Sequence, residues 1–155
     1  MKRSVWSALA MGVAALGPVA CGEAPEQAAA GPAVPEGITV TNARLMLPAV
    51  AGNPGAVYFD IANSGTSNRM LRAASVKGAT SAMMHTTSAD SMQETLQIMV
   101  PSGETVKFEP GGTHVMAMGL ADTVVAGSMA DVTLTFVGGL TATFPAEVRA
   151  AGDER

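Results

Sequence analysis

His85 and His114 are the two histidines of a 155-residue chain that also contains eleven methionines and one cysteine. His114 stands in THVMAMGL, where Met116 and Met118 follow at alternate positions. In a strand, alternate side chains share a face, so this segment presents an imidazole and two thioethers together. His85 ends the run SAMMH, and Met92 follows it after the polar stretch TTSADS. If that stretch turns a hairpin, its arms bring His85 and Met92 together. A compact fold can then gather the imidazoles of His85 and His114 with the thioethers of Met92 and Met116 at one end.

Such a donor set has a definite preference. Thioethers are neutral and soft and favour Cu(I), while imidazole suits copper in either oxidation state. Four neutral donors add no negative charge, which favours the monovalent ion. Zinc, calcium and magnesium are better served by thiolate, carboxylate or carbonyl ligands. The competing reading is packing, because methionine is a flexible filler of cores. Met46, Met70, Met99 and Met129 are read as core on that ground. Met83 and Met84 point to opposite faces, so one geometry cannot make both of them ligands. Met118 lies one step further from the turn than Met116 and is assigned to packing.

Other chemistry finds few candidates. The chain has no glycine-rich phosphate loop, nucleophile elbow, Cys-x-x-Cys or His-Glu-x-x-His. Asp90, Glu94 and Glu104 fall around turns and polar faces, where charges are ordinarily solvated. With two histidines and one cysteine near the start, nucleophilic and acid–base catalysis lack residues, and the chain is not expected to be an enzyme. The formal charge of −4, with no basic run, argues against a nucleic-acid partner. Beyond Cys21 there is neither a disulfide nor a thiolate, which excludes a cysteine-ligated electron-transfer copper centre.

The elements that must position these residues follow from composition and pattern. Residues 1–21 have two basic residues, an apolar run and small residues before Cys21, the layout of a secretory signal. The Cys21-Gly22 junction resembles a bacterial lipoprotein cleavage site, with Pro18 where leucine is usual. An incidental cysteine in a signal cut further along is the alternative. Residues 22–37 read as a flexible tether, and 149–155 as a short tail. Between them, 38–148 form one domain of short strands. ITVTNARL, AVYFDIAN, MLRAASV and ATSAMMHTT read as strands. MQETLQIMV and ETVKFEP flank Pro101-Ser102-Gly103 as an expected hairpin. THVMAMGL precedes a loop of about ten residues, and ADVTLTFV and LTATFPAEV are joined by the turn signal Gly138-Gly139. Eight or nine such strands, with no helical period, predict an all-β sandwich.

The spacing Met92, twenty-one residues, His114, one residue, Met116, behind Pro110-Gly111-Gly112, resembles the PCuAC family of copper chaperones over about 38–148. That family's pattern begins with a histidine ten residues before the methionine. Here six residues separate His85 from Met92, and the position that ten would predict is Leu96, which cannot bind copper and should pack elsewhere. A hairpin shortened by four residues keeps a period-2 register and therefore both ligands on one face. The resemblance implies a cupredoxin-like β-sandwich carrying Cu(I) on His85, Met92, His114 and Met116 in the periplasm, anchored to the membrane if Cys21 is lipidated. It implies delivery to a recipient such as a cytochrome c oxidase subunit or a Sco-type protein; a monomer is expected. A β-sandwich interaction module without metal is the alternative.

Overall fold

The computed structural model describes residues 34–88 and 91–153. The signal segment, Cys21, most of the tether and Asp90 lie outside that range. Ten strands are present: β1 (Ile38–Met46), β2 (Gly55–Asn63), β3 (Arg69–Val76), β4 (Ser81–Ser88), β5 (Ser91–Glu94), β6 (Ile98–Val100), β7 (Thr105–Phe108), β8 (Thr113–Met118), β9 (Met129–Phe136) and β10 (Thr141–Arg149). They form one mixed sheet in the order β5-β4-β8-β7-β2-β1-β10-β9-β3-β6. Only β1–β10 and β7–β8 run parallel. The sheet curls until β3 meets β4 and β8, enclosing one core. The all-β expectation holds, with ten strands rather than eight or nine.

Period-2 patterning drives the curl. In β2 every second residue is buried, with Val57, Phe59 and Ile61 at 0–1% exposure. Val132, Leu134 and Phe136 of β9 are buried in the same way, opposite Ala142 and Phe144 of β10. The two strands are joined by the three-residue turn Val137-Gly138-Gly139, closed by the bond from the Gly139 N–H to the Phe136 carbonyl (3.1 Å), and its two glycines have φ of 94° and 85°, values that favour glycine. β1 alternates only in part because a register shift between Thr41 and Arg44 admits Asn42 at φ 56°.

Two expectations about the middle of the chain are corrected. MQETLQIMV is not one strand but two, β5 and β6, lying at opposite edges of the sheet. The break comes where the Thr95 N–H donates to the Met84 carbonyl at 2.8 Å and ends β5 on β4. β6 instead pairs with β3, and β7 with β2, so Pro101-Ser102-Gly103 joins no hairpin. Asn63, 1% exposed, secures that crossing. Its Nδ2 donates to the carbonyls of Ser67 (2.9 Å) and Val100 (3.0 Å), and its carbonyl accepts from the Gly103 N–H (2.7 Å).

The methionines are corrected as well. Among the described residues Met84 alone joins the buried core, at 4% exposure. Met46 and Met70 are half-buried, and Met99 and Met129 are exposed rather than packed inside. The core is filled by valine, leucine, isoleucine and phenylalanine, whose shapes suit a pleated surface. Met99 alternates with buried Val100 on an edge strand and so points outward, where its sulfur accepts from Asn68 Nδ2 at 3.7 Å. Leu96, in the link between β5 and β6, is 74% exposed and packs nowhere.

Candidate metal centre

The centre grows out of one antiparallel ladder. β4 and β8 pair with Ser81 opposite Met118, Met83 opposite Met116, Met84 opposite Val115 and His85 opposite His114. Cross-strand partners share a face, and the faces alternate. Met84, Val115 and Ala117 take the core side, each under 5% exposed. Met83, His85, His114, Met116 and Met118 therefore take the other.

The two imidazoles are direct neighbours. Their ring centroids lie 6.0 Å apart at an interplanar angle of 21°. Tyr58 of β2 flanks His114 from the opposite side at 6.2 Å, and the Arg44 guanidinium sits 5.0 Å over the Tyr58 ring. Hemmed in this way, His114 is only 6% exposed although it is turned away from the core.

The Pro-Gly-Gly turn sets the ring. Gly111 at φ 77° and the bond from the Gly112 N–H to the Glu109 carbonyl (3.0 Å) close the turn ahead of β8. The Gly112 carbonyl then accepts twice, from the Thr87 N–H at 3.2 Å and from His114 Nδ1 at 3.1 Å. A carbonyl only accepts, so the His114 proton sits on Nδ1 and the lone pair on Nε2 is free. His85 Nδ1, by contrast, is buried and has no hydrogen-bond partner. An unpaired buried nitrogen costs free energy unless something occupies it, and a metal ion is one such occupant.

The hairpin to β5 is short, with Ser88 paired to Ser91. Its register puts Glu94 opposite His85 and Met92 opposite Thr87. On the core side, Thr95 Oγ1 donates to Thr86 Oγ1 (3.0 Å), which also meets Thr113 Oγ1 (3.3 Å), tying the hairpin to β8. Met92 is thus one rung beyond His85 and one strand further out than β4, and it is 53% exposed. No three His, Cys, Asp or Glu side chains gather anywhere among the described residues. Glu94 accordingly completes no carboxylate–imidazole site, and sulfur is the donor at hand.

Of the four residues singled out from sequence, His85, His114 and Met116 fall in one two-by-two block, with Met92 diagonal to His85. The fourth corner of the block is Met83, which sequence reasoning passed over. Its signal was available, since Met83 alternates with His85 while Met84 faces the core. Next to the block, a hollow of about 310 Å³ opens over Arg44, Met46, Tyr58 and Pro110.

Comparison with known proteins places this architecture. The profile of the LpqE-like lipoprotein family matches residues 38–148. The protein Lxx21020 of Leifsonia xyli subsp. xyli, whose name also designates a lipoprotein, is 32% identical over 111 residues, covering 68% of this chain and 66% of its own length. The fold matches the copper-bound PCuAC domain of PmoF2 (TM-score 0.64, 23% identity, 74% of this chain and 93% of that one). It also matches the Cu(I) form of DR1885 from Deinococcus radiodurans (TM-score 0.58, 27% identity, 83% of this chain and 85% of that one). The chain belongs to the LpqE-like lipoprotein family and has the fold of PCuAC domains.

Proposed function

We propose that this protein is a Cu(I) chaperone that holds one ion as cargo at His85, His114, Met116 and Met92. The observation that carries the reading is the pairing of His85 with His114 on the outward face of β4 and β8, with thioethers beside them and, among the described residues, no cluster of acidic or thiol ligands. Two imidazoles and thioethers bind Cu(I) without adding charge. The Cu(I) form of DR1885 and the copper-bound domain of PmoF2, both with this fold, support it.

The surroundings suit a carrier. His114 is oriented by the Gly112 carbonyl, so one ligand is fixed before the metal arrives. Met92 is exposed on a short hairpin, where a recipient's ligand can replace it stepwise. The recipient we favour is a copper enzyme of the envelope, such as a cytochrome c oxidase subunit or its Sco-type assembly partner. The lipoprotein name of the family, together with the signal-like 1–21 segment and Cys21, supports a periplasmic protein tethered to a membrane by lipid. Among the described residues no helix is long and apolar enough to cross a membrane.

Anaerobic titration of the purified protein with Cu(I) against a competing chelator tests the reading. It predicts one equivalent bound in a form that equimolar Zn(II) does not displace. Binding of less than a tenth of an equivalent, or equal competition by zinc, would leave a metal-free interaction module.

A further inference from the structure

Resting on the Cu(I) reading, we propose that Met83 is a fourth ligand in the block and that Met92 is a third, exchangeable sulfur, so that the centre has five donors for four positions. Met83 lies directly opposite Met116 and two residues before His85 on the same face. It is therefore diagonal to His114 across a single strand boundary. Directly opposed residues have Cβ atoms about 4.5–5.5 Å apart, and diagonal ones remain within reach of long side chains. Met92 is diagonal to His85 across β4–β5 and two strands from β8. By register, Met83 occupies the nearer of the two positions to the boundary between His85 and His114.

Burial divides the roles in the same direction. Met83 is 37% exposed, whereas Met92 is 53% exposed on a strand of four residues at the edge of the sheet. An ion held by His85, His114, Met116 and Met83 keeps a full coordination shell while Met92 swings out. Met92 can then take the place of Met83, or give way to an incoming ligand, without leaving the ion at three donors. No electron changes hands, and each metal–ligand bond that forms replaces a metal–sulfur bond that breaks. The alternation that sets Met84 into the core is what frees Met83 for this position.

The test measures Cu(I) affinity by chelator competition for the wild type, Met83→Leu, Met92→Leu and the double variant, with thermal melts of each metal-free protein. Leucine conserves volume at an exposed site, so the melts should coincide. Loss of an outer-shell partner already costs about tenfold to a hundredfold in metal affinity, so losing the Met83 ligand should cost at least about tenfold. We expect Met83→Leu to retain a 1:1 site at that lower affinity, and the double variant to be weaker than either single one. The Met83 methyl resonance should also move with the first equivalent of Cu(I). Unchanged affinity in Met83→Leu with a stationary methyl resonance overturns the inference while leaving the copper reading intact. A wild type that binds no Cu(I) overturns both.

Discussion

Adjacent residues on β8 should separate stability from metal binding. Val115 is fully buried on the core face, opposite Val57 and Met84, while Met116 is half-buried on the outer face, opposite Met83 and Ala56. Val115→Ala removes two methyl groups, each contributing about 0.8 kcal/mol of transfer free energy. The cavity left among packed neighbours adds to this, for a total of about 2–3 kcal/mol. For a domain of this size that lowers the melting temperature on the order of 10 °C. Met116→Leu conserves volume and should cost under about 1.5 kcal/mol. For Cu(I) the order reverses: Val115→Ala keeps one equivalent near wild-type affinity, and Met116→Leu loses at least about tenfold. Calorimetry of the metal-free proteins and chelator competition on the same samples provide both readings. A Met116→Leu protein that melts early yet binds copper normally would refute the assignment of faces.

Other consequences follow from the same geometry. The nitrogen that binds the ion must carry no proton, so acid sets proton against copper and Cu(I) affinity should decline as the pH falls; an affinity that does not fall in acid would contradict imidazole ligation. Dilute peroxide should convert the exposed Met83 and Met92 to sulfoxides before the buried Met84, with copper capacity falling in step and returning after sulfoxide reductase treatment; peptide mass spectrometry gives the order. Asn63→Ala leaves the carbonyls of Ser67 and Val100 without their donor inside the crossing and should cost about 2–4 kcal/mol in denaturant unfolding, with Cu(I) stoichiometry unchanged.

What could be read from the sequence was local. The β9–β10 hairpin carries its own instructions, two glycines at positive φ between alternating apolar runs, and it forms as expected except that Val137 joins the glycines in a three-residue turn. The alternation in THVMAMGL likewise sorted His114 and Met116 onto one face. Adjacency of His85 and His114 is another matter, because β4 and β8 are separated by three intervening strands and meet through sheet curl and register. A donor-spacing pattern pointed to that meeting without containing its geometry. MQETLQIMV misled because a continuous stretch of strand-forming residues does not reveal that a backbone bond at Thr95 ends one strand and sends the next to the far edge. The methionines misled for a related reason. Apolar character gave Met99 and Met129 a core assignment, whereas alternation turned both to solvent, Met99 on the edge strand β6 and Met129 at the start of the interior strand β9.

The central claim is that one face of β4 and β8 holds the ion, and methyl and imidazole resonances test it residue by residue. In protein labelled at the methionine methyl and histidine ring positions, titration to one equivalent of Cu(I) should shift His85, His114, Met116, Met83 and Met92 together. Met84, Met99 and Met129, on the core side or on strands away from β4 and β8, should stay in place. Shifts confined to those three, or two histidines that do not respond, would contradict the account.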